Sequence, residues 1–392
     1  MTTEAADQAY ADLTELVTNG TRFHGSPTMA AASRWLERQL EEAGLSAVRQ
    51  RVELPGWTPG TARRVTVTAP HRRELPAWPM LWSGGSGGRR TGTVEAIGPE
   101  GIWGDSIVWQ RFLVTGEDGI PIAYLHARDR GPAAPQPLPV GSDRSLAHLV
   151  IGHLDGLQLA EWLSDGKRVT IEIDADAGPV DEPAVSDNLI VDIEGAAEGK
   201  VVTLCAHYDT FFNTVGAYDN GSGTVALLEL ARFWALTPPP VPVRLVFFTA
   251  EEWHLLGSRH YVASAAEGEL DRIAYLLNLD GLGRGSFMEA FASPEPFEAD
   301  IRRAILGYAR ESGRELELAS RFPPTKGTDD ASFWAVGVPS AFITFNDLHR
   351  LHQPDDEPNR GIAANIVWTI ELTKRIVAAV SAPERGPAPG LL

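Results

Sequence analysis

The sequence of 392 residues contains little cysteine, few basic side chains and no long apolar run. Its single cysteine, Cys205, excludes an internal disulfide framework, so nothing implies an oxidising compartment. Lys and Arg number 34 against 52 Asp and Glu, which gives a formal net charge of −18. A chain this acidic disfavours nucleic acid and anionic membrane surfaces as partners. No segment approaches the roughly 18 to 20 apolar residues that cross a bilayer.

The N-terminal segment MTTEAADQAYADLTELV has no basic leader and no apolar core of the signal-peptide type. We therefore predict a cytoplasmic protein that associates with neither membranes nor nucleic acid. The sequence leaves the oligomeric state open.

Three parts of the chain differ in their patterns of apolar and turn-forming residues. Residues 1–60 contain two helical patterns and a strand, and residues 180–380 alternate strand and helix patterns such as KVVTLCAHYD and GTVALLELARFWAL. Residues 61–179 contain short alternating runs such as RRVTVTA and RVTIEIDAD, separated by Gly- and Pro-rich turns.

This organisation predicts an α/β fold. Residues 1–60 and 180–380 would form one discontinuous domain, a three-layer α/β/α sandwich with a mostly parallel central sheet. Residues 61–179 would form a small β-rich insert domain. The tail, residues 381–392, is predicted to be disordered.

Residue types that bind metals recur at the ends of predicted strands and in nearby loops: His207, Asp209, Asp219, Glu251, Glu252, Asp280 and His352. The carboxyl ends of parallel strands meet at one edge of a sheet, so we expect these side chains to converge. Carboxylates placed this close repel one another unless a cation lies between them. A mixed set of imidazoles and carboxylates without thiolates fits zinc, with manganese or cobalt as alternatives.

The segments AHYDT, GAYDNGSG, FFTAEEWHLLGS, NLDGLG and LHQPDD resemble, in order, the motifs of the co-catalytic di-zinc aminopeptidases. That group includes bacterial leucyl aminopeptidases and aminopeptidase Y, with glutamate carboxypeptidase and glutaminyl cyclase as more distant relatives. The resemblance covers about residues 10–60 and 185–375. The segment that ends in LVIGHLDGLQLAEWLSDGKRVTIEIDAD resembles the protease-associated insert domain that some members carry.

The resemblance implies a site for two zinc ions. His207 and Asp280 would hold one ion. Glu252 and His352 would hold the other, and Asp219 would bridge the two. The loop that contains Asp219, DNGSG, is also rich in helix-capping residues, so we expect it both to bind metal and to cap a helix.

The adjacent glutamates would then differ in role. Glu251 would be the general base that takes a proton from metal-bound water, while Glu252 binds the metal. Asp209 would orient the imidazole of His207 through a hydrogen bond.

Four positions near these motifs leave questions open. Leu351 stands where the family often has a tyrosine that stabilises the oxyanion, so that donor is missing or comes from elsewhere. His254 replaces a usual glycine and either lines the substrate pocket or is tolerated at a helix start. His349 is the competing imidazole in HRLH, and Asp329 is expected to support the site by hydrogen bonding.

The remaining histidines match no ligand position: His24, His71, His126, His148, His153 and His260. The reading favoured overall is a zinc metallopeptidase of the aminopeptidase type that cleaves a peptide or related amide. A specialised small-molecule amidohydrolase, a glutaminyl cyclase-like enzyme and a non-catalytic binding module are the alternatives.

Overall fold

The computed structural model describes residues 3–18, 20–102, 108–321 and 327–380, which contain two β-sheets and eight α-helices. The tail predicted to be disordered, residues 381–392, lies outside the described residues. Within the described ranges, no helix combines the length and the apolarity needed to cross a bilayer.

The helices, in chain order, are α1 (Thr3–Thr18), α2 (Pro27–Glu42), α3 (His153–Ser164), α4 (Ser222–Leu236), α5 (Leu256–Ser264), α6 (Glu295–Glu311), α7 (Asp330–Trp334) and α8 (Arg360–Val380). The strands are β1 (Val48–Thr58), β2 (Arg63–Ala69), β3 (Arg73–Leu75), β4 (Ala77–Pro79), β5 (Arg90–Gly101), β6 (Val108–Gly116), β7 (Pro121–Ala127), β8 (Ala147–Ile151), β9 (Thr170–Ala175), β10 (Gly178–Ile193), β11 (Val201–His207), β12 (Val243–Phe248), β13 (Ile273–Leu282), β14 (Phe287–Ser293), β15 (Glu317–Arg321) and β16 (Ser340–Phe345).

The first sheet has eight strands in the order β1-β10-β12-β11-β13-β16-β14-β15. Its four central strands, from β12 to β16, are mutually parallel. Antiparallel pairing appears only toward the edges, where β10 joins β1 and β12 and where β14 joins β16. The predicted parallel sheet is therefore present in the centre, so several strands end at the same edge.

The first sheet is covered by helices on both faces, as the three-layer prediction requires. Leu204 and Ala206 of β11 point into an apolar core formed with α1, α2, α4, α6 and α8. Cys205, between them, points to the other face and packs with Tyr261 of α5 and Phe333 of α7. Because successive side chains of a buried strand point to opposite faces of the sheet, β11 contributes apolar residues to the cores on both faces.

The second sheet belongs to the insert and has the order β3-β2-β9-β5-β6-β7-β8-β4. All its pairings are antiparallel except β7 with β8, and α3 packs on it. This sheet has as many strands as the first, which the prediction of a small module did not anticipate. Two of its strands, β3 and β4, have three residues each and are too short to show a period in the sequence.

A two-stranded ribbon and a shared apolar cluster connect the two sheets. β1 and β10 pair from Val48 with Ile190 to Thr58 with Gly178, so this ribbon extends from the first sheet to the insert. A buried apolar cluster, here called the joint cluster, contains residues from both parts: Phe23, Trp57, Met80, Leu81, Trp82, Trp109, Leu138, Val150, Ala177, Phe211, Ala250 and Trp253. Trp253 lies at its centre, with ring centroids 5.0 Å from Phe23 and 4.9 Å from Trp82.

Candidate metal centre

Six of the predicted site residues meet at the carboxyl edge of the parallel strands, and all are buried. They form two groups, within each of which the ligand atoms lie within 4.8 Å of one another: His207, Glu251 and Asp280, and then Asp219, Glu252 and His352. The strand ends of β11, β12 and β13 supply the first group, while Asp219 and His352 come from loops.

Asp219 lies between the two imidazoles. Its Oδ1 is 3.2 Å from Nε2 of His207, and its Oδ2 is 3.1 Å from Nε2 of His352. One carboxylate therefore presents one oxygen to each group, which is the geometry that a bridging ligand requires.

The two imidazoles have further carboxylate neighbours. Asp280 Oδ1 lies 3.3 Å from His207 Nε2, and Glu252 Oε2 lies 3.1 Å from His352 Nε2. Glu251 Oε2 is more distant, at 3.9 Å from His207 Nε2. The adjacent glutamates thus face different imidazoles.

Asp209 supports the glutamate pair through the backbone. Its carboxylate accepts the N–H of Glu251 at 3.1 Å and the N–H of Glu252 at 3.3 Å. Toward His207 Nδ1, the Asp209 backbone carbonyl lies at 3.2 Å and its Oδ1 at 3.5 Å. Asp209 therefore lies next to His207, and its predicted role of orienting the imidazole stays a prediction. Its carboxylate hydrogen-bonds the glutamate backbone, which the sequence did not indicate.

Backbone strain is concentrated around these ligands. Of the five described non-glycine residues with positive φ, four lie here: Ala250 (φ 54°), His254 (φ 61°), Leu255 (φ 60°) and His352 (φ 54°). Left-handed backbone costs an L-residue roughly 1–2 kcal/mol. Such strain persists only where the surroundings hold the residue in place, as they do at functional sites.

The loop that holds Asp219 is fixed by Asp356, whose carboxylate accepts the backbone N–H of Tyr218 at 2.8 Å and of Asp219 at 3.1 Å. The next residue, Asn220, accepts the N–H of Gly223 at 2.9 Å in the first turn of α4. Capping and metal-facing roles are therefore divided between neighbouring residues of one loop.

Arg22 is a supporting residue for which the sequence gives no signal. Its buried guanidinium donates to the carbonyls of Tyr208, Val215 and Gly216 at 2.6, 2.5 and 2.9 Å. Burial lowers the pKa of Arg22 to about 10, against the opposing effect of nearby carboxylates that include Asp356 and Asp209. Arg22 thus places a positive charge beneath an acidic site.

The pKa values of the buried residues show an excess of negative charge at the site. Burial raises the pKa of Glu252 to about 7, and it raises the pKa of Glu251 well above its usual value. Burial lowers the pKa of His352, but Glu252 and Asp219 outweigh burial and raise it to about 10. The neighbouring carboxylates thus favour the protonated forms of both imidazoles.

These residues fit a metal ion. Several buried polar atoms of the described residues lack a hydrogen bond of acceptable geometry, and two of them, His207 Nε2 and Glu252 Oε1, belong to the ligand groups. Leaving buried polar atoms unsatisfied is costly unless another ligand completes them. The donor set of imidazoles and carboxylates is one that zinc accepts.

The remaining sequence-derived candidates lie outside both groups. His349 is exposed, so His352 is the imidazole that reaches the site. His254 Nε2 lies 2.9 Å from the carbonyl of Leu138 in the insert, two residues before α5 begins. Leu351 packs against the core of the first sheet. Asp329 is fully buried, with a pKa that burial raises to about 8, and neither of its carboxylate oxygens has a hydrogen-bond partner of acceptable geometry among the described residues, so the structure does not show the hydrogen-bonding role expected for it.

The other histidines also lie outside the two groups found among the described residues. His126 and His148 are buried against each other in the insert, with His126 Nε2 3.0 Å from His148 Nδ1. His24 Nδ1 lies 2.8 Å from the hydroxyl of Thr249.

A three-layer α/β sheet whose carboxyl edge carries these two ligand groups defines the class as a metallohydrolase. The family model described as "Peptidase family M28" matches residues 188–377. That segment is therefore similar to Peptidase family M28, and the resemblance to the zinc aminopeptidases is confirmed. The protease-associated character of the insert stays a prediction.

Similar proteins include aminopeptidase YwaD of Bacillus subtilis (strain 168), 26% identical over 374 residues, which covers 90% of this chain and 79% of that protein. An aminopeptidase of Pseudomonas aeruginosa is 33% identical over 139 residues, 33% of this chain and 26% of that one.

Solved structures share the fold. An aminopeptidase from Aneurinibacillus sp. strain AM-1 matches with a TM-score of 0.74 and 21% identity, covering 98% of this chain and 96% of the other. The zinc aminopeptidase BSAP of Bacillus subtilis matches with a TM-score of 0.67 and 21% identity, covering 95% of this chain and 94% of the other. The glutaminyl cyclase of Fimbriiglobus ruber matches with a TM-score of 0.54 and 12% identity, covering 95% of this chain and 94% of the other.

Proposed function

We propose that the protein is a metal-dependent aminopeptidase that uses two zinc ions and Glu251 as general base. The observation that carries the proposal is the position of Asp219, whose two oxygens face the imidazoles of two separate ligand groups. His207 and Asp280 hold one ion, and Glu252 and His352 hold the other.

Two zinc ions, when bound, lower the pKa of a water molecule toward about 7 and polarise the scissile carbonyl. Glu251 takes the proton from that water and delivers it to the leaving amine. Glu251 suits this task, because a carboxylate in a buried site is a stronger proton acceptor than one in water. Glu252 binds metal because it faces His352 at 3.1 Å.

The alternatives are less well supported. A non-catalytic binding module does not need the complete set of ligands and the base, all of which are present here. A glutaminyl cyclase-like enzyme shares the fold, but two adjoining groups of potential ligands, linked by Asp219, favour a hydrolase that uses two ions. A small-molecule amidohydrolase uses the same chemistry, so the two activities can be distinguished only by the substrates that the protein cleaves. Manganese or cobalt can replace zinc in such a donor set.

The decisive variant is Glu251→Gln, which keeps size and shape but removes the base. We expect both ions to remain bound while turnover falls by about 10²- to 10⁴-fold. Metal content is measured by elemental analysis and turnover with aminoacyl-chromophore amides, alongside N-blocked equivalents that an aminopeptidase does not cleave.

The matched variant Glu252→Gln should lose metal affinity, and the exposed Glu267→Gln should behave as wild type. Full activity in Glu251→Gln would show that the two roles are wrongly assigned. Cleavage of N-blocked amides as fast as free ones would favour the amidohydrolase.

A further inference from the structure

The insert reaches the loop that carries His352. Arg128 Nη2 donates to the carbonyl of Leu348 at 3.4 Å, and Gln353 Nε2 donates to the carbonyl of Ala133 at 3.3 Å. Between these contacts, the carbonyl of Pro135 lies 2.8 Å from Nδ1 of His352. The ring of a predicted metal ligand is therefore held from a segment more than 200 residues away in the chain.

The side chain of Gln136 contacts the same ring nitrogen, with its amide Nε2 placed 2.8 Å from His352 Nδ1. Nε2 of His352 can bind a metal only through its lone pair, which requires the proton to be on Nδ1. The Pro135 carbonyl accepts that proton. Two N–H groups cannot face each other, so we assign the Gln136 oxygen, rather than its nitrogen, to the position next to Nδ1–H; the two ends of an amide have nearly the same shape, and a 180° turn exchanges them.

This segment of the insert is itself held in place. The carbonyl of Gln136 accepts the N–H of Leu81 at 3.0 Å, and the N–H of Leu138 donates to the carbonyl of Leu81 at 3.0 Å. Leu81 and Leu138 belong to the joint cluster, and Gln136 is 1% exposed. Gln136 therefore presents a fixed group to the ring.

His352 depends on such support because its own backbone does not supply it. It lies in a loop after β16, with φ in the left-handed region, rather than at the end of a strand. The α/β domain contributes Asn213, which donates to the His352 carbonyl at 2.8 Å, and Phe211, whose ring centroid is 4.3 Å away. Neither contact selects which ring nitrogen carries the proton.

We propose that Gln136, with the carbonyl of Pro135, is a positioning residue for His352. Together they fix the proton on Nδ1 and aim Nε2 at the metal site, so that the insert completes one half of the metal centre. The inference rests on the proposed two-metal function. The insert then takes part in metal binding itself, which is a role beyond covering the site.

The test compares Gln136→Leu with Gln136→Glu in the full-length protein, using zinc and competition with a chromophoric chelator. Removing a partner of a ligating imidazole typically costs 10- to 100-fold in metal affinity, so Gln136→Leu should weaken one of the two ions by about that factor. The other ion should bind as in wild type. Gln136→Glu should restore the affinity, because a carboxylate oxygen accepts the Nδ1–H.

Gln158→Leu, at a partly exposed position on α3 of the insert, is the matched control and should bind both ions as wild type does. Unchanged affinities in Gln136→Leu would overturn the inference alone. Equal weakening by the Leu and Glu variants would also overturn it, since a purely structural role is not rescued by an acceptor. Wild-type protein that binds no divalent ion would overturn the proposed function and the inference with it.

Discussion

The two imidazoles of the metal centre face the same carboxylate but are supported differently. His207 is the last residue of β11, and its carbonyl accepts the hydroxyl of Thr224 at 2.9 Å in the neighbouring helix α4. Its Nδ1 faces Asp209, two residues away. His352 lies in a strained loop, and its Nδ1 faces the insert.

The difference shows that the two halves of the site have separate structural origins. The His207 half follows from the sheet, because a parallel strand delivers its last residue to the shared edge. The His352 half requires a tertiary contact between two parts of the chain. Substitutions in the insert should therefore weaken the binding of one ion and leave the affinity for the other unchanged.

The largest effect should come from removing an imidazole. His352→Ala should lose about one equivalent of metal and nearly all activity, because Glu252 and Asp219 alone leave that ion with too few protein ligands. His207→Ala should lose the other ion. Elemental analysis after dialysis, with turnover measured in parallel, checks both outcomes.

His349→Ala is the control, since His349 is exposed and three residues away. It should keep both ions. Loss of metal from His349→Ala, with retention in His352→Ala, would reverse the assignment of the ligand.

A smaller effect, shared by both halves, is expected at Asp356. Asp356→Asn keeps the shape but replaces one of two acceptors for the N–H groups of Tyr218 and Asp219 with a donor. Because Asp219 faces both imidazoles, both ions should bind about 10- to 100-fold more weakly. Chelator competition measures this.

Asp355→Asn, at the exposed neighbouring carboxylate, should leave both affinities unchanged. Weakening of a single ion in Asp356→Asn would mean that Asp219 serves only one half of the site.

The smallest effect is a pH dependence that both halves share in metal-free protein. Carboxylates outweigh burial and raise the pKa values of His207 and His352, the latter to about 10, and burial raises that of Glu252 to about 7. Unfolded chains release these protons near 6.5 for histidine and 4.5 for glutamate. The native state therefore holds extra protons, and the stability they contribute is lost as the pH rises from 4.5 to 10.

The melting temperature of metal-free protein should accordingly fall between pH 6.5 and 10, where buried histidines with a lowered pKa, such as His24 at about 4, are neutral in both the folded and the unfolded state. Zinc displaces the same protons and binds more tightly as the pH rises, so the difference between loaded and metal-free protein should widen. A metal-free melting temperature that climbs with pH would contradict this account of the site.

The sequence predicted the part of the site that the sheet creates. His207, Glu251, Glu252 and Asp280 could be assigned to one edge because each follows a recognisable apolar strand. Asp219 and His352 lie in loops, and only the resemblance to a family gave them roles.

The supporting residues could not be predicted from the sequence. Asp356 lies in the motif LHQPDD, but its contact with the Asp219 loop spans 137 residues and could not be read from that motif. Gln136 acts at a separation of 216 residues, and Arg22 acts on carbonyls 186 or more residues away. No local period or spacing marks such contacts. The same holds for β3 and β4, whose three residues each gain their conformation from neighbouring strands.

The ribbon of β1 and β10 has a consequence for how the molecule loses its structure. Because the ribbon joins both sheets and Trp253 packs against Trp82 of the insert, unfolding either part would expose apolar surface in the other. Their free energies of unfolding are therefore linked, and the chain should melt in one cooperative transition. Trp253 directly follows Glu252, so heat that separates the sheets also disassembles the metal centre, and thermal inactivation and melting should coincide.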